Sequence, residues 1–403
     1  FFGSWWGYRG TVDIDGFGNT VSISDNSYTS TSDDNTPVGA VVIRDETGSN
    51  QGHVNAIGSG TGRAPFSNKF SEVHVVVQWN EEKLNRLINQ KYPAEKINIF
   101  IGSDDSGDRT NEIISEFATQ HSHLHFFPFP KRQGKPGVIN QLAATATAHF
   151  PATAAHVFII TDASVMMSPG VCAALVKHFK HPDLAIVDAQ MLHTGVQEVD
   201  ISHSEDSYIS WEGRLKYYEG VLWKKMIGPF GGCYALRSDF FAPVPDNFLV
   251  DDFYITLQAF RRGGLAIKEL SALCYEPVGH ELNEEFRRKA RISAGNLQNM
   301  FYFADLWLPP FGLPNFPFFS HKILRWLGPI WLILLWLTAG LLSHNQFYAL
   351  LFVLITALYT LTPLLDEGLK KWNKHWALLR NVRYFLTMNL ALLAGYLRYV
   401  KGI

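Results

Sequence analysis

Carboxylates are concentrated at three places in the middle of this 403-residue chain. Residues 103–108 read Ser-Asp-Asp-Ser-Gly-Asp, residues 161–164 read Thr-Asp-Ala-Ser, and residues 250–252 read Val-Asp-Asp. In the first, Asp104 can accept hydrogen bonds from the base or ribose of a nucleotide. In the second, Asp162 suits a Mg2+ or Mn2+ bridged to phosphates. Such ions take one or two protein carboxylates and fill their other positions with phosphate and water. Ser164 is a poorer ligand than an aspartate would be. In the third, the Asp251-Asp252 pair can supply a general base to an acceptor hydroxyl. Three carboxylate tasks in this order fit group transfer from a nucleotide diphosphate. Each station also has a plainer reading: Asp108 and Thr110 can cap a helix, Asp162 can be a turn acid, and Asp251-Asp252 can sit at a helix N-terminus for its dipole.

Other candidates are weaker. Residues 287–291, Arg-Arg-Lys-Ala-Arg, form a basic cluster that can neutralise a departing diphosphate, rest on anionic lipid headgroups, or simply face water. Gly134-Lys135 lacks the upstream glycine of a P-loop. His121, His123 and His125 can share a strand face, but no further ligand accompanies them. Asp13-Ile14-Asp15 opens like a calcium loop, yet Phe17 and Ser24 occupy ligand positions. A net charge of −2 gives no reason to expect nucleic-acid binding. Cys172, Cys233 and Cys274 are odd in number and widely spaced, so reduced thiols are expected.

The elements that must position these residues follow from periodicity. Short apolar runs at 73–77, 97–101, 124–129 and 157–160 predict buried strands. Residues 81–90, 110–120 and 137–149 have helical spacing. Alternating strand and helix predicts an α/β domain with a doubly wound, mostly parallel sheet, whose ligands bind beyond the carboxyl ends of the strands. Asp104 and Asp162 both fall there. Residues 1–66 are rich in Gly, Ser, Thr, Asn and Asp, with weak alternation, and receive no function. They contain no basic stretch followed by an apolar run, so no secretory leader is expected.

From residue 306 the chain becomes strongly apolar. Residues 323–342 and 347–365 each match a bilayer-spanning helix in length, and 384–399 is a shorter third candidate. Lys322 and Arg325 precede the first run, and Lys370, Lys371, Lys374, Arg380 and Arg383 follow the second. The connecting residues 343–346 carry no Lys or Arg. This bias predicts a multi-pass membrane protein with residues 67–320 facing the cytoplasm. A domain organisation of 1–66, 67–305 and 306–403 is expected.

Taken together, these motifs resemble the family 2 glycosyltransferases, in their membrane-bound, processive-synthase-like branch. Val75-Val76-Val77 followed by Asn80-Glu81-Glu82 resembles the family's opening strand and turn. Residues 103–110 resemble its nucleotide loop, and Lys131 to Lys135 with Asn140 its Arg-x-Gly-Lys…Asn segment. Asp162-Ala163-Ser164 stands at its Asp-x-Asp metal motif. Residues 231–237, Gly-Gly-Cys-Tyr-Ala-Leu-Arg, resemble its acceptor-side glycine-rich stretch. Asp251-Asp252 stands at its Glu-Asp base motif, and residues 286–292 stand where synthases carry Gln-x-x-Arg-Trp. Two departures are visible: Gln78-Trp79-Asn80 is one residue short and lacks the usual proline, and Arg291-Ile292 replaces Arg-Trp.

The resemblance implies a GT-A-like domain followed by a C-terminal transmembrane region. Its activity would be inverting transfer of a sugar from a nucleotide-diphosphate donor, expected to be a UDP-sugar, to a glycan or lipid-linked acceptor. Asp104, Asp105, Lys135, Asp162, Arg288 and Arg291 would bind the donor. Asp162 and Ser164 would hold Mg2+ or Mn2+, and Asp252 with Asp251 would be catalytic. A second hypothesis, prompted by the short opening motif, is an inactive membrane scaffold that keeps the fold. A third is a nucleotidyltransferase, which would release pyrophosphate.

Overall fold

The computed structural model describes residues 12–15, 20–23, 28–30, 40–45, 50–55, 62–63 and 70–76 as strands. From residue 81 on, it describes all but 150–155, 195–200, 278–281, 372–375 and 403. The expected opening motif at Gln78-Trp79-Asn80 lies outside the described residues. The chain divides into two compact units: residues 1–84 with 107–114, and residues 85–106 with 115–403.

The first unit contains two antiparallel sheets. One orders Tyr28–Ser30, Thr20–Ile23, Val12–Asp15 and Gly62–Arg63. The other orders Asn50–Asn55, Ala40–Asp45 and Phe70–Val76. The apolar run expected to open a parallel sheet is therefore an antiparallel partner of Ala40–Asp45. A β-branched run reports burial and extended backbone, but it does not encode the direction of its neighbour.

In the second unit, Ile99–Asp104 and Leu124–Phe129 pair in parallel, as the alternating pattern requires. The principal sheet has five strands in the order Val157–Thr161, Cys233–Arg237, Leu184–Thr194, Leu265–Pro277, Met166–Met167. Only the Leu184–Thr194 and Leu265–Pro277 pair is parallel; the other three pairings are antiparallel. The sheet is mixed, which corrects the mostly parallel expectation. Cys233–Arg237 inserts between Val157–Thr161 and Leu184–Thr194 and runs against both.

Strand periodicity builds the core on both faces of this sheet. Ile186, Tyr234 and Leu236 pack with Phe253, Leu257 and Phe260 of the Asp251–Arg261 helix. The alternate residues Val187, Cys233 and Ala235 pack with Val171, Cys172 and Leu175 of the Val171–Val176 helix. Cys172, Cys233 and Cys274 are all buried and none is in a disulfide.

At the C-terminal end, Leu282–Tyr302 and Ala377–Val400 pack along each other. A Cβ on Gly395 would come within 2.4 Å of Ser293 Cβ, and Ser293 Oγ donates to the Leu392 carbonyl at 2.9 Å. Gly328–Leu341 and Gln346–Lys371 also pack together, and Trp336 Nε1 donates to Thr356 Oγ1 at 2.9 Å. Among the described residues one helix, Gln346–Leu369, is long and apolar enough by itself to cross a membrane. The first expected span is broken: Asn315–Trp326 and Gly328–Leu341 meet at 57°. Pro329 sits in the first turn of the second piece, where its missing N–H and ring favour a new helix start over continuation of the old one.

Candidate active site

The turn before the Gly134–His149 helix is fixed by Asp104 at the end of its strand. Asp104 Oδ1 accepts from the Gln133 amide at 2.6 Å, and Oδ2 from the Gly134 amide at 2.9 Å. Gly134 adopts φ +74°, a left-handed conformation suited to glycine. The next residue, Lys135, is thereby presented from a braced turn. Its Nζ lies 2.8 Å from Asp162 Oδ1 and 3.5 Å from Asp251 Oδ2. One ammonium thus joins two of the three acidic stations. Burial alone would lower the Lys135 pKa, but the carboxylates of Asp251, Asp162 and Asp252 together raise it above the ordinary lysine value. The lysine stays charged through the neutral range.

Asp105 has φ +56° and is exposed, so its carboxylate remains available to a ligand. Asp108 Oδ1 accepts the Thr110 amide at 3.0 Å, the expected helix cap. Asn140 clamps a distant loop: its Nδ2 donates to the Val244 carbonyl and its Oδ1 accepts the Val244 amide, both at 2.8 Å.

Asp162 follows the Val157–Thr161 strand, and its amide donates to the Gly232 carbonyl at 3.0 Å. Its side chain is 37% exposed, accessible to a cation. Ser164 Oγ donates to Glu276 Oε1 at 3.0 Å, which brings a further carboxylate to this turn. Among the described residues no group of three or more His, Cys, Asp or Glu side chains is arranged as a metal cage. The accessible Asp162 carboxylate, with the Ser164 hydroxyl and the Glu276 carboxylate near it, fits an ion that takes its remaining ligands from phosphate and water. His125 instead stacks on Phe100, with ring centroids 4.8 Å apart.

Asp251 and Asp252 open the Asp251–Arg261 helix. The approach to them is held from the Leu282–Tyr302 helix. Gln298 Oε1 accepts the Leu249 amide at 3.1 Å, and Asn299 Nδ2 donates to the Val250 carbonyl at 3.3 Å. Gly295 lets Val250 approach, since a Cβ there would lie 2.6 Å from Val250 Cγ2. Burial first, and then the negative charge of Asp251, push the Asp252 carboxyl up to about 6 against the opposing pull of Lys135, Lys216 and the Phe253 amide. A carboxylate with its pKa near neutrality is suited to proton abstraction.

The glycine-rich stretch completes the arrangement. Gly231 has φ +90°, and a Cβ there would lie 2.7 Å from Asp252 Oδ2. The loop is anchored beneath by a buried ion pair. The Phe230 amide donates to Asp188 Oδ1 at 3.0 Å, while Lys268 Nζ donates to Asp188 Oδ2 at 2.8 Å and to the Ala189 carbonyl at 2.7 Å. Asp188 and Lys268 are essentially inaccessible to solvent, so the pair must be matched internally. Sequence reasoning missed both, although a charged residue inside the apolar run Leu-Ala-Ile-Val-Asp-Ala was a visible signal. It also missed Tyr234, whose buried hydroxyl has no hydrogen-bond partner among the described residues. Burial, then Asp251, Asp252 and Asp162, raise the pKa of that phenol well above its usual value.

The structure therefore brings together Lys135, Asp162, Asp251 and Asp252, with Asp104 bracing the turn that carries the lysine. It places Arg288 3.4 Å from Glu285 of its own helix and leaves Arg291 exposed.

Residues 78–242 match the family model described as Glycosyl transferase family 2. A mannosyltransferase from Pyrobaculum calidifontis, PcManGT, solved with GDP-Man and Mn2+, is similar over 79% of this chain and 82% of its own, at 19% identity and a TM-score of 0.53. At that identity the likeness is one of fold. S. aureus TarS 1-349 in complex with UDP is similar at 14% identity over 80% of this chain and 87% of its own, with a TM-score of 0.38. GalNAc-T7 with UDP, GalNAc and Mn2+ is similar at 11% identity over 48% of this chain and 40% of its own, with a TM-score of 0.36. These last two superimpose too loosely to bear on the fold. No curated protein sequence matches the chain.

Proposed function

The chain carries a family 2 glycosyl transferase domain on a GT-A-like fold with a mixed sheet, and from that premise we propose that it transfers a sugar, with inversion, from a nucleotide-diphosphate donor to a hydroxyl of a glycan or lipid-linked acceptor. The observation that carries this reading is the convergence on Lys135, which joins Asp162 to Asp251 although the three are far apart in sequence. Asp252 takes the proton from the acceptor hydroxyl as its oxygen attacks the anomeric carbon. Its raised pKa supports that role. Lys135 lies where it can neutralise negative charge on the donor side. Asp105 remains exposed for the nucleoside, and Asp104 holds the Gly134 turn while offering its remaining lone pairs. Asp162, with Ser164 beside it, would hold Mg2+ or Mn2+, which when bound supplies Lewis-acid stabilisation of the leaving diphosphate. Arg288 and Arg291 are assigned to the same leaving group when donor binds.

A membrane anchor belongs to this reading. Gln346–Leu369 is strongly apolar, and almost none of it is buried inside the protein. Leu350, Val353, Leu354, Leu361 and Leu364 are all more than half exposed. A core helix of a soluble protein would hide such residues, whereas a lipid-facing helix would not. Gly328–Leu341, with Lys322 and Arg325 before it in the chain, would pair with this helix as a second membrane segment, and those cations with Lys370 beyond the hairpin would keep the catalytic domain on the cytoplasmic side.

The test is release of nucleoside diphosphate from a panel of UDP- and GDP-sugars, with membranes containing the full chain, with and without Mn2+ or Mg2+. Metal-dependent release that is lost in Asp162→Ala is the expected result. A folded protein that neither turns over nor binds any nucleotide sugar would instead be the inactive scaffold. Pyrophosphate release would make it a nucleotidyltransferase.

A further inference from the structure

The helix Ile201–Trp223 is inside out for a surface that faces water. Among its described side chains, Glu212, Lys216 and Glu219 are buried, whereas Trp211, Tyr218, Val221 and Leu222 are 57–68% exposed. Trp211, Arg214, Tyr218 and Leu222 follow one another at three or four residues, so they share one side of the helix, with Val221 beside them. A surface helix in water is arranged the other way, with apolar residues inward and charges outward. The inward charges have a specific reason. Glu212 accepts from Lys322 Nζ and from Arg325 Nη1, both at 2.5 Å, and Glu219 Oε1 pairs with His321 Nδ1 at 2.6 Å. Lys216 is answered by the charges of Glu212 and Asp252. His321, Lys322 and Arg325 belong to the segment that leads into the apolar helix Gly328–Leu341. The helix thus turns its carboxylates toward that segment and its aromatic stripe outward. Trp223 at its end meets Phe316 of the same segment edge to face, with ring centroids 5.9 Å apart. Phe311, Leu313 and Phe316 are exposed as well, so the apolar face extends from the helix to the start of the segment.

We propose that this helix docks on the bilayer, with Trp211, Tyr218, Val221 and Leu222 at the boundary of headgroups and acyl chains and Arg214 reaching lipid phosphate. Trp, Tyr and Arg are the residue types favoured at that depth, where an apolar body and a polar tip are both satisfied. The exposed Lys224, just past the helix, adds attraction to anionic headgroups. The occupant is lipid rather than a second copy of the chain, because the stripe adjoins the exposed face of the membrane-entry segment and one lipid surface covers both. Glu219 Oε2 also accepts the Ile227 amide at 3.0 Å, just before the Phe230-Gly231 loop. The docked helix therefore holds the glycine-rich loop, and with it Asp252, close to the bilayer surface. This inference rests on the membrane reading given above and extends it from the apolar C-terminal helices to the catalytic domain itself.

The experiment places a nitroxide label on single introduced cysteines in the full chain, reconstituted in vesicles of phosphatidylcholine and phosphatidylglycerol. Tyr218→Cys and Leu222→Cys report the proposed face. Leu354→Cys reports the anchor helix, and Lys180→Cys an exposed position at the start of the central strand Leu184–Thr194. The unsubstituted protein, whose three cysteines are buried, supplies the background. Collision with oxygen, which concentrates in lipid, is compared with collision with a water-soluble nickel chelate. The labels at 218 and 222 are expected to favour oxygen several-fold more than the label at 180 does, as the label at 354 also should. Collisions at 218 and 222 dominated by the chelate, as at 180, would overturn the proposal whatever the label at 354 shows. Labels at 218 and 222 shielded from both reagents would reveal a protein contact, such as a second copy of the chain, and would overturn it too. A water-like signal at 354 with lipid-like signals at 218 and 222 rejects the anchor and keeps the docked face, so the two readings fail separately.

Discussion

Replacing Gly231 by alanine tests whether the glycine-rich loop exists to admit the base. The substitution has two separable consequences. Alanine at φ +90° is strained, which costs about 1–2 kcal/mol of stability for a left-handed residue. The new Cβ also stands 2.7 Å from Asp252 Oδ2 and 3.2 Å from its Cγ, closer than real contacts allow, so the carboxylate must move. Displacement of a reacting group by about 1 Å lowers turnover on the order of 10²-fold. Gly263 provides the control. Its φ is +82°, but nothing lies within 4 Å of its Cβ position. Gly263→Ala should therefore show the strain without the loss of turnover. The assay is thermal melting together with steady-state release of nucleoside diphosphate for both variants. Similar losses of stability with about a 100-fold difference in kcat/KM are expected. Equal kcat/KM in the two variants would refute the argument that Gly231 is a glycine for the sake of Asp252.

Further expectations concern the acids themselves. Asp252→Asn should lower turnover by roughly 10²–10⁴-fold while donor binding, measured calorimetrically, persists; near-normal turnover would reject the base role. Because the folded carboxyl is raised to about 6 from an ordinary 3.8, the folded state holds this proton more tightly than the unfolded chain does. Stability from this group is thus greatest below pH about 4 and is lost as pH rises toward 6, so Asp252→Asn should melt no lower than wild type at pH 7. The same value predicts that kcat/KM falls on the acid side with an apparent pKa near 6, and a flat profile down to pH 5 would contradict it. Asp188→Asn strands the buried Lys268 ammonium and should destabilise by about 3–5 kcal/mol in denaturant titrations; a loss under 1 kcal/mol would show that the pair does not anchor the Phe230 loop.

The parts legible in the sequence were those governed by local pattern. The apolar residues of Val157–Thr161 predict a strand, and the strand places Asp162 at its end. The helix that Asp251 and Asp252 open is the one the plainer reading of that pair expected, because adjacent acids favour a helix N-terminus. Strand direction was not legible, because alternation is the same read either way, and Cys233–Arg237 enters the sheet antiparallel for reasons set by its long-range neighbours. Asp188 and Lys268 escaped for a similar reason. Each is an isolated charge in its own strand, and only the pairing of Leu184–Thr194 with Leu265–Pro277 makes them partners. Asp104 was expected to face the nucleotide, and its hold on the Gln133 and Gly134 amides depends on a turn 29 residues away.

The contact between Gly395 and Ser293 reaches further than helix packing. The Leu282–Tyr302 helix grips the Leu249–Val250 backbone with Gln298 and Asn299, and with its other side it leans on Ala377–Val400 with no room for even a methyl group at Gly395. Those two helices pack as one block, and Leu282–Tyr302 supports the Leu249–Val250 segment that precedes Asp251 and Asp252. A truncated protein cut near residue 305 would keep every acidic station and lose the backing that sets their spacing. The C-terminal helix is therefore machinery of the catalytic domain, and a shortened chain made for solubility should be slow even where it folds.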